Sequence, residues 1–227
     1  MHLTWFGHSC FLLATGTHRL LFDPWLNTNP VSPVKAADVR CDFIFCSHAH
    51  EDHTADALEI AGNNHAPIIA PYELAEYFSA QGAATIDLMQ GGSANLPFGR
   101  VKLTPAVHSS SLELGDGRNL PLGEPGGFIV SAGDKKLYHA GDTALFSDMR
   151  LIGRVGLDIA LVPIGDWYTM GIDDAVDSLD LLTPKLAVPT HYNTHDKIRV
   201  DPLSFVAKAA AHGHTVRLLE PGGALEF

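Results

Sequence analysis

The segment Ser47-His48-Ala49-His50-Glu51-Asp52-His53 follows directly on the apolar run Phe43-Ile44-Phe45-Cys46. Buried polar groups need partners, so imidazoles and carboxylates this dense, emerging from a core strand, are costly to pack unless they hold something. On a helix, residues two apart diverge by about 200°. In an irregular loop, His48 and His50 can instead aim at one metal ion, with Asp52 and His53 turned toward a second position. Imidazole and carboxylate together are donors that zinc, manganese or iron accept.

Three later positions repeat the placement. His108 closes the run Val101 to Val107, Asp142 follows Lys136 to Ala140, and His191 follows Lys185 to Pro189. Each lies just past the C-terminal end of an expected strand, the edge where open α/β sheets bind ligands. Period-two runs predict strands at 3–6, 10–14, 19–23, 42–46, 67–70, 85–88, 101–107, 127–131, 136–140, 158–162, 185–188 and 215–219. Helices are expected near 55–61, 71–81, 145–153, 172–182 and 202–212, the first capped by Thr54, with Gly62, Gly82 and Gly213 as C-terminal stops. The mixture implies a layered α/β architecture, and 227 residues without a Pro/Ser-rich linker suit one domain over 1–227. The hairpin pattern of 10–23 is echoed at 127–142, each copy ending in an aspartate, Asp23 or Asp142.

Charge and hydropathy narrow the functional classes. The formal net charge is −11 and no Lys/Arg-rich run exists, which argues against stable nucleic-acid binding while leaving a small-molecule or nucleotide-like substrate open. No apolar run approaches the roughly 18 residues of a membrane span, and the N-terminal residues lack a secretory pattern. A cytoplasmic protein without membrane contact is expected. The irregularly spaced Cys10, Cys41 and Cys46 read as buried small hydrophobes. Leu145-Phe146 and Phe205-Val206 are candidate apolar edges for a homo-oligomer.

The HxHxDH pattern at 48–53, the downstream His108, Gly141-Asp142-Thr143 and Pro189-Thr190-His191 resemble the metallo-β-lactamase superfamily. Gly7-His8-Ser9, His139 to Thr143, Pro163 to Asp166 and Tyr168 to Gly171 are similar to its small bacterial and archaeal subfamily of metal-dependent hydrolases. The resemblance implies a four-layered αβ/βα sandwich, two mixed sheets flanked by helices, with a dinuclear centre. It assigns His48, His50 and His108 to one ion and Asp52, His53 and His191 to the other, with Asp142 bridging. The ions would be divalent, zinc first, with manganese, nickel or iron as alternatives.

Two such cations can share a water of lowered pKa as nucleophile and polarise the scissile oxygen. Asp52 would orient that nucleophile, and His8, in its tight turn, is the candidate proton donor to the leaving group. Asp23 and His139 are expected behind the ligands, and Trp167 and Tyr168 are candidate substrate contacts. The other motif-free histidines, among them His2, His18, His65, His195, His212 and His214, are expected to be solvated. A phosphodiester is the leading substrate expectation, ahead of a lactone, ester or amide including β-lactams. A metal-stabilised binding or sensor protein is the non-catalytic alternative, and His50, where some redox relatives carry glutamate, disfavours di-iron chemistry.

Overall fold

The computed structural model describes residues 1–227. Its strands are β1 (His2–Gly7), β2 (Cys10–Ala14), β3 (Arg19–Phe22), β4 (Phe43–Phe45), β5 (Ile68–Pro71), β6 (Thr85–Leu88), β7 (Ser93–Leu96) and β8 (Gly99–Pro105). There follow β9 (Ser111–Glu113), β10 (Asn119–Pro121), β11 (Gly126–Ala132), β12 (Lys135–His139), β13 (Ile159–Pro163), β14 (Leu186–Thr190) and β15 (Ala224–Glu226). Six α-helices accompany them: α1 (Glu51–Thr54), α2 (Ala57–Asn64), α3 (Tyr72–Ala80), α4 (Met149–Gly153), α5 (Ile172–Leu182) and α6 (Pro202–Ala211).

The strands form a seven-stranded sheet in the order β15-β1-β2-β3-β4-β5-β6, a six-stranded sheet in the order β14-β13-β12-β11-β8-β7, and a small β9-β10 hairpin. In each large sheet an antiparallel hairpin is followed by a parallel strand: β2-β3 then β4, and β11-β12 then β13. The echo between 10–23 and 127–142 therefore corresponds to the same topological unit placed once in each sheet.

Side chains alternate across the first sheet as a pleated strand requires. Leu20, Phe22, Phe43, Phe45 and Ile69 join a core shared with Val101, Leu103, Phe128 and Val130 of the second sheet. Their neighbours Leu21, Ile44, Ile68 and Ala70 instead pack with Ala57, Ile60, Leu74 and Phe78 of α2 and α3. On the second sheet's side, Val176, Leu179 and Leu182 of α5 and Phe205 of α6 complete the shared core. The result is four layers, helices outside and two sheets within, the arrangement that the resemblance implies. No helix is long and apolar enough to cross a membrane.

Several local expectations are corrected. The helix expected at 55–61 is α2, which runs from Ala57 to Asn64, and Thr54 ends the separate turn α1, donating its hydroxyl to the His50 carbonyl (3.0 Å) instead of capping the later helix. α2 runs through Gly62 and stops at His65, which takes the left-handed conformation (φ 53°). The run at 215–219 makes only one bridge, Val216 to Ala187, before Pro221 and Gly222 lead the chain across to β15 in the other sheet. Strands β7, β9, β10 and β15 have no counterpart in the sequence reading. Phe205 is fully buried, so it offers no exposed edge.

The seam between the sheets carries the packing energy. Phe128 touches Phe45 edge to face, centroids 5.2 Å apart, and neither is exposed. Phe128→Ala should destabilise the protein by about 3–5 kcal/mol through lost burial and a residual cavity. Chemical denaturation would measure it, and a loss below about 1 kcal/mol would place the core elsewhere.

Candidate metal centre

Strand ends build the site. His48 and His50 lie in the irregular stretch after β4, and Asp52 and His53 on the single turn α1. His108 follows β8, Asp142 follows β12, and His191 follows β14. All seven converge. His48 Nε2 lies 2.9 Å from His50 Nδ1, which lies 3.3 Å from His108 Nε2. Asp142 Oδ2 is 2.9 Å from His191 Nε2 and 3.7 Å from His108 Nε2, while its Oδ1 is 3.3 Å from His53 Nε2. Asp52 Oδ2 lies 3.7 Å from His191 Nε2.

Three overlapping groups could hold a cation: His48, His50 and His108; His48, His53 and Asp142; and Asp52, His53, His191 and His8. Within each, one donor atom per residue lies within 4.8 Å of the others.

A buried carboxylate sets the orientation of the imidazoles. Asp23, directly after β3, accepts from the Ser47 backbone N–H (2.7 Å), the Ser47 hydroxyl (2.8 Å), His53 Nδ1 (2.9 Å) and His139 Nε2 (2.7 Å). His53 therefore presents Nε2 to the centre. Because the Ser47 proton goes to Asp23, Ser47 Oγ accepts from His48 Nδ1 at 2.9 Å, and His48 Nε2 is left as a bare lone pair. Two oriented donors thus trace to one aspartate.

The donor set fits a metal. His53 Nε2 and Asp142 Oδ1 are wholly buried, face each other and have no hydrogen-bond partner. Buried polar atoms are rarely left so, and a cation among them would satisfy both. Electrostatics divides the set. Burial, reinforced by the neighbouring His53 charge, holds His48 well below the usual imidazole range, and burial lowers His50 and His108 as well. Burial also opposes charge on His53 and His191, but Asp142 outweighs it, aided by Asp23 at His53 and by Asp52 at both. His53 is held well above the usual range and His191 at about 9. Against the same burial, the His191 and His53 charges hold Asp142 well below the usual carboxylate range.

Asp23 and His139 lie behind His53, both buried and joined by a hydrogen bond. His8 is fully buried, with its Nε2 3.0 Å from Asp52 Oδ2. Burial, then the His191 charge, lowers it to about 4. Tyr168 lines the cleft over the centre, whereas Trp167 lies outside that wall, 67% exposed, with Lys197 Nζ 5.2 Å above its ring.

His195, expected to be a solvated bystander, belongs to the cleft wall together with Ser109, Glu113 and Asn119. His212 and His214 pair with Asp180 far along the chain from these motifs. No local pattern assigns a role to Ser47 or Thr194; the only signal is proximity, since Ser47 adjoins His48 and Thr194 stands three residues past His191.

Removing Asp23 should disorient His53 and, through Ser47, His48. Asp23→Ala is expected to weaken metal binding by about 10–100-fold, the usual cost of losing an outer hydrogen-bond partner. Competition with a chelator would measure it, and unchanged affinity would show that the network does not orient the donors.

Comparison with known proteins places the chain. A profile of the Beta-lactamase superfamily domain matches residues 18–192. A UPF0173 metal-dependent hydrolase from Opitutus terrae is 61% identical over 226 residues, covering all of both chains. Another from Archaeoglobus fulgidus is 44% identical, covering 100% of this chain and 99% of its own. Among solved structures, Igni18, a metallo hydrolase from Ignicoccus hospitalis, aligns with a TM-score of 0.90 at 38% identity, covering 100% of this chain and 98% of its own. With its histidine and aspartate motif, its two-sheet architecture and these relatives in agreement, the chain belongs to the β-lactamase superfamily, in the family of UPF0173 metal-dependent hydrolases.

Proposed function

We propose that this protein hydrolyses a singly charged phosphodiester with two divalent cations, zinc in the first instance. The supporting observation is that the set His48, His50 and His108 shares no residue with the set His8, Asp52, His53 and His191, whose last three members would be its donors, while His48, His53 and Asp142 form a third set linking the two. Each outer set would hold one ion and Asp142 would serve both. Such a pair supplies a nucleophilic water of lowered pKa and polarises the oxygen of the scissile group.

The chain's own residues do the rest. Ser47 and Asp23 orient the imidazoles of His48 and His53 before substrate arrives. The cleft over the centre measures about 490 Å³ and is lined by twelve residues, of which Tyr168 is the only hydrophobic one. A wall of serine, asparagine, histidine and carboxylate side chains suits a polar substrate and offers nothing to a long acyl chain. Glu51 and Glu113 share that wall with Asp52 and Asp142, which disfavours a dianionic monoester beside a monoanionic diester. Lys197 donates to the Tyr168 hydroxyl (3.1 Å) behind the wall.

A second reading, a short polar ester or lactone, is favoured by the absence of lysine and arginine from the cleft lining.

Metal quantification should give two ions per chain. Turnover of bis(p-nitrophenyl) phosphate should exceed that of a short lactone, and Asp142→Ala should lose activity toward both by about 10² or more, the scale of a lost electrostatic stabiliser. Lactone cleavage alone would reassign the substrate class. A single ion per fully active chain would reject the two-metal reading.

A further inference from the structure

His8 has the wrong surroundings for a proton donor to substrate. Its side chain is wholly buried and is not part of the cleft lining. Both ring nitrogens are engaged inside the protein: Nε2 lies 3.0 Å from Asp52 Oδ2, and Nδ1 lies 2.8 Å from Thr194 Oγ1. An ionised carboxylate only accepts, so the Nε2 proton points at Asp52. On a neutral ring Nδ1 is then a lone pair, and the Thr194 hydroxyl is its donor.

The backbone of His8 is held as firmly as its ring. Its carbonyl accepts from the Trp5 indole N–H (3.0 Å) and from the backbone N–H of His191 (3.2 Å). It occupies the left-handed region (φ 55°), just after Gly7 (φ 100°), where an added Cβ would come within 2.7 Å of Val31 Cγ2. Trp25 meets its ring edge on, centroids 4.9 Å apart. One residue thus grips two members of the second donor set, Asp52 through its ring and His191 through its carbonyl.

We infer that Thr194 and His8 are positioning residues for the second metal site: Thr194 selects the Nε2–H tautomer of His8, and His8 holds Asp52 and His191 in register. The inference rests on the two-metal reading proposed above, and it adds a function to a threonine outside every recognised motif. The alternatives are distinct in chemistry: His8 as a direct metal ligand, which needs a bare Nε2, or His8 as the leaving-group acid, which needs access to substrate.

The test uses the full chain, stripped of metal and titrated with Zn²⁺. Thr194→Val and His8→Ala should weaken the second ion by about 10–100-fold while leaving the first within about twofold. Thr194→Ser and His8→Gln, which restore a hydroxyl and an N–H donor, should recover most of that loss. In metal-free wild type, ¹⁵N spectra of labelled histidine should report His8 as the Nε2–H tautomer, a readout independent of whether any variant folds.

Two tight ions retained by both disruptive variants would overturn the inference. So would direct ¹¹³Cd coupling to His8 in the loaded protein, or a fall in kcat that grows with leaving-group pKa while both metal affinities stay unchanged. If wild type binds fewer than two ions, the two-metal reading fails by itself, and the tautomer measurement still decides whether Thr194 sets His8.

Discussion

The imidazole of His53 lies between two buried carboxylates, Asp23 at 2.9 Å on Nδ1 and Asp142 at 3.3 Å on Nε2. None of the three is more than 2% exposed. Removing an ionised carboxylate from water costs several kcal/mol even after relaxation, and only a partner of opposite charge offsets it. Here one aspartate comes from each sheet, so the two halves of the molecule meet on a single ring. Take the ring away and the two carboxylates lose the one partner they share, leaving Asp23 to Ser47 and His139 and Asp142 to His191. Fold and site are therefore not separable: the contact that would present His53 to a cation also joins the sheets.

Topology explains why two aspartates arrive there. Each large sheet contains a hairpin followed by a parallel strand, and in each the second hairpin strand, β3 or β12, runs out toward the seam with an aspartate just beyond it. The two units are used differently. Asp142 faces the histidines from inside the cleft, while Asp23 is withdrawn behind Ser47, His53 and His139 and accepts hydrogen bonds from all three. One unit thus furnishes a donor to the centre and the other the carboxylate that orients donors.

How far the sequence discloses this depends on the kind of signal. The core strands are readable because burial on both faces leaves continuous apolar runs such as Phe43 to Cys46, and the convergence of His108, Asp142 and His191 follows from their place after such runs. The β9-β10 hairpin is not readable that way, since residues such as Asn119, Leu120 and Pro121 are all exposed and lack an apolar face to impose a period. Likewise 215–219 has apolar residues enough for a strand, but the sheet's last full strand is β14, and the chain departs after one bridge. Ser47, Thr194 and His195 escape notice for another reason. Their roles exist only through partners distant in sequence, as with Thr194 and His8, and no local pattern encodes such a contact.

Backbone strain marks the site independently of any metal. Eight residues other than glycine take positive φ, and two of them, His65 and Thr183, simply end helices. The remaining six are His8, Asp23, Asp166, Trp167, His191 and Asn193. Each such conformation costs on the order of 1–3 kcal/mol and persists only where surrounding contacts over-determine it. Those contacts are present: Asp23 N–H is held by the Phe45 carbonyl, His191 N–H by the His8 carbonyl, and Asp166 N–H by Met170, whose own N–H reaches Thr143 beside Asp142. Three of the strained residues carry site side chains, and the Asp166–Trp167 turn delivers Tyr168 to the cleft wall. Glycine would relieve the strain at such positions, but it has no side chain. Histidine and aspartate tolerate the left-handed region better than most residues, and at His8, Asp23 and His191 they meet the backbone's demand while supplying side chains that converge on the centre.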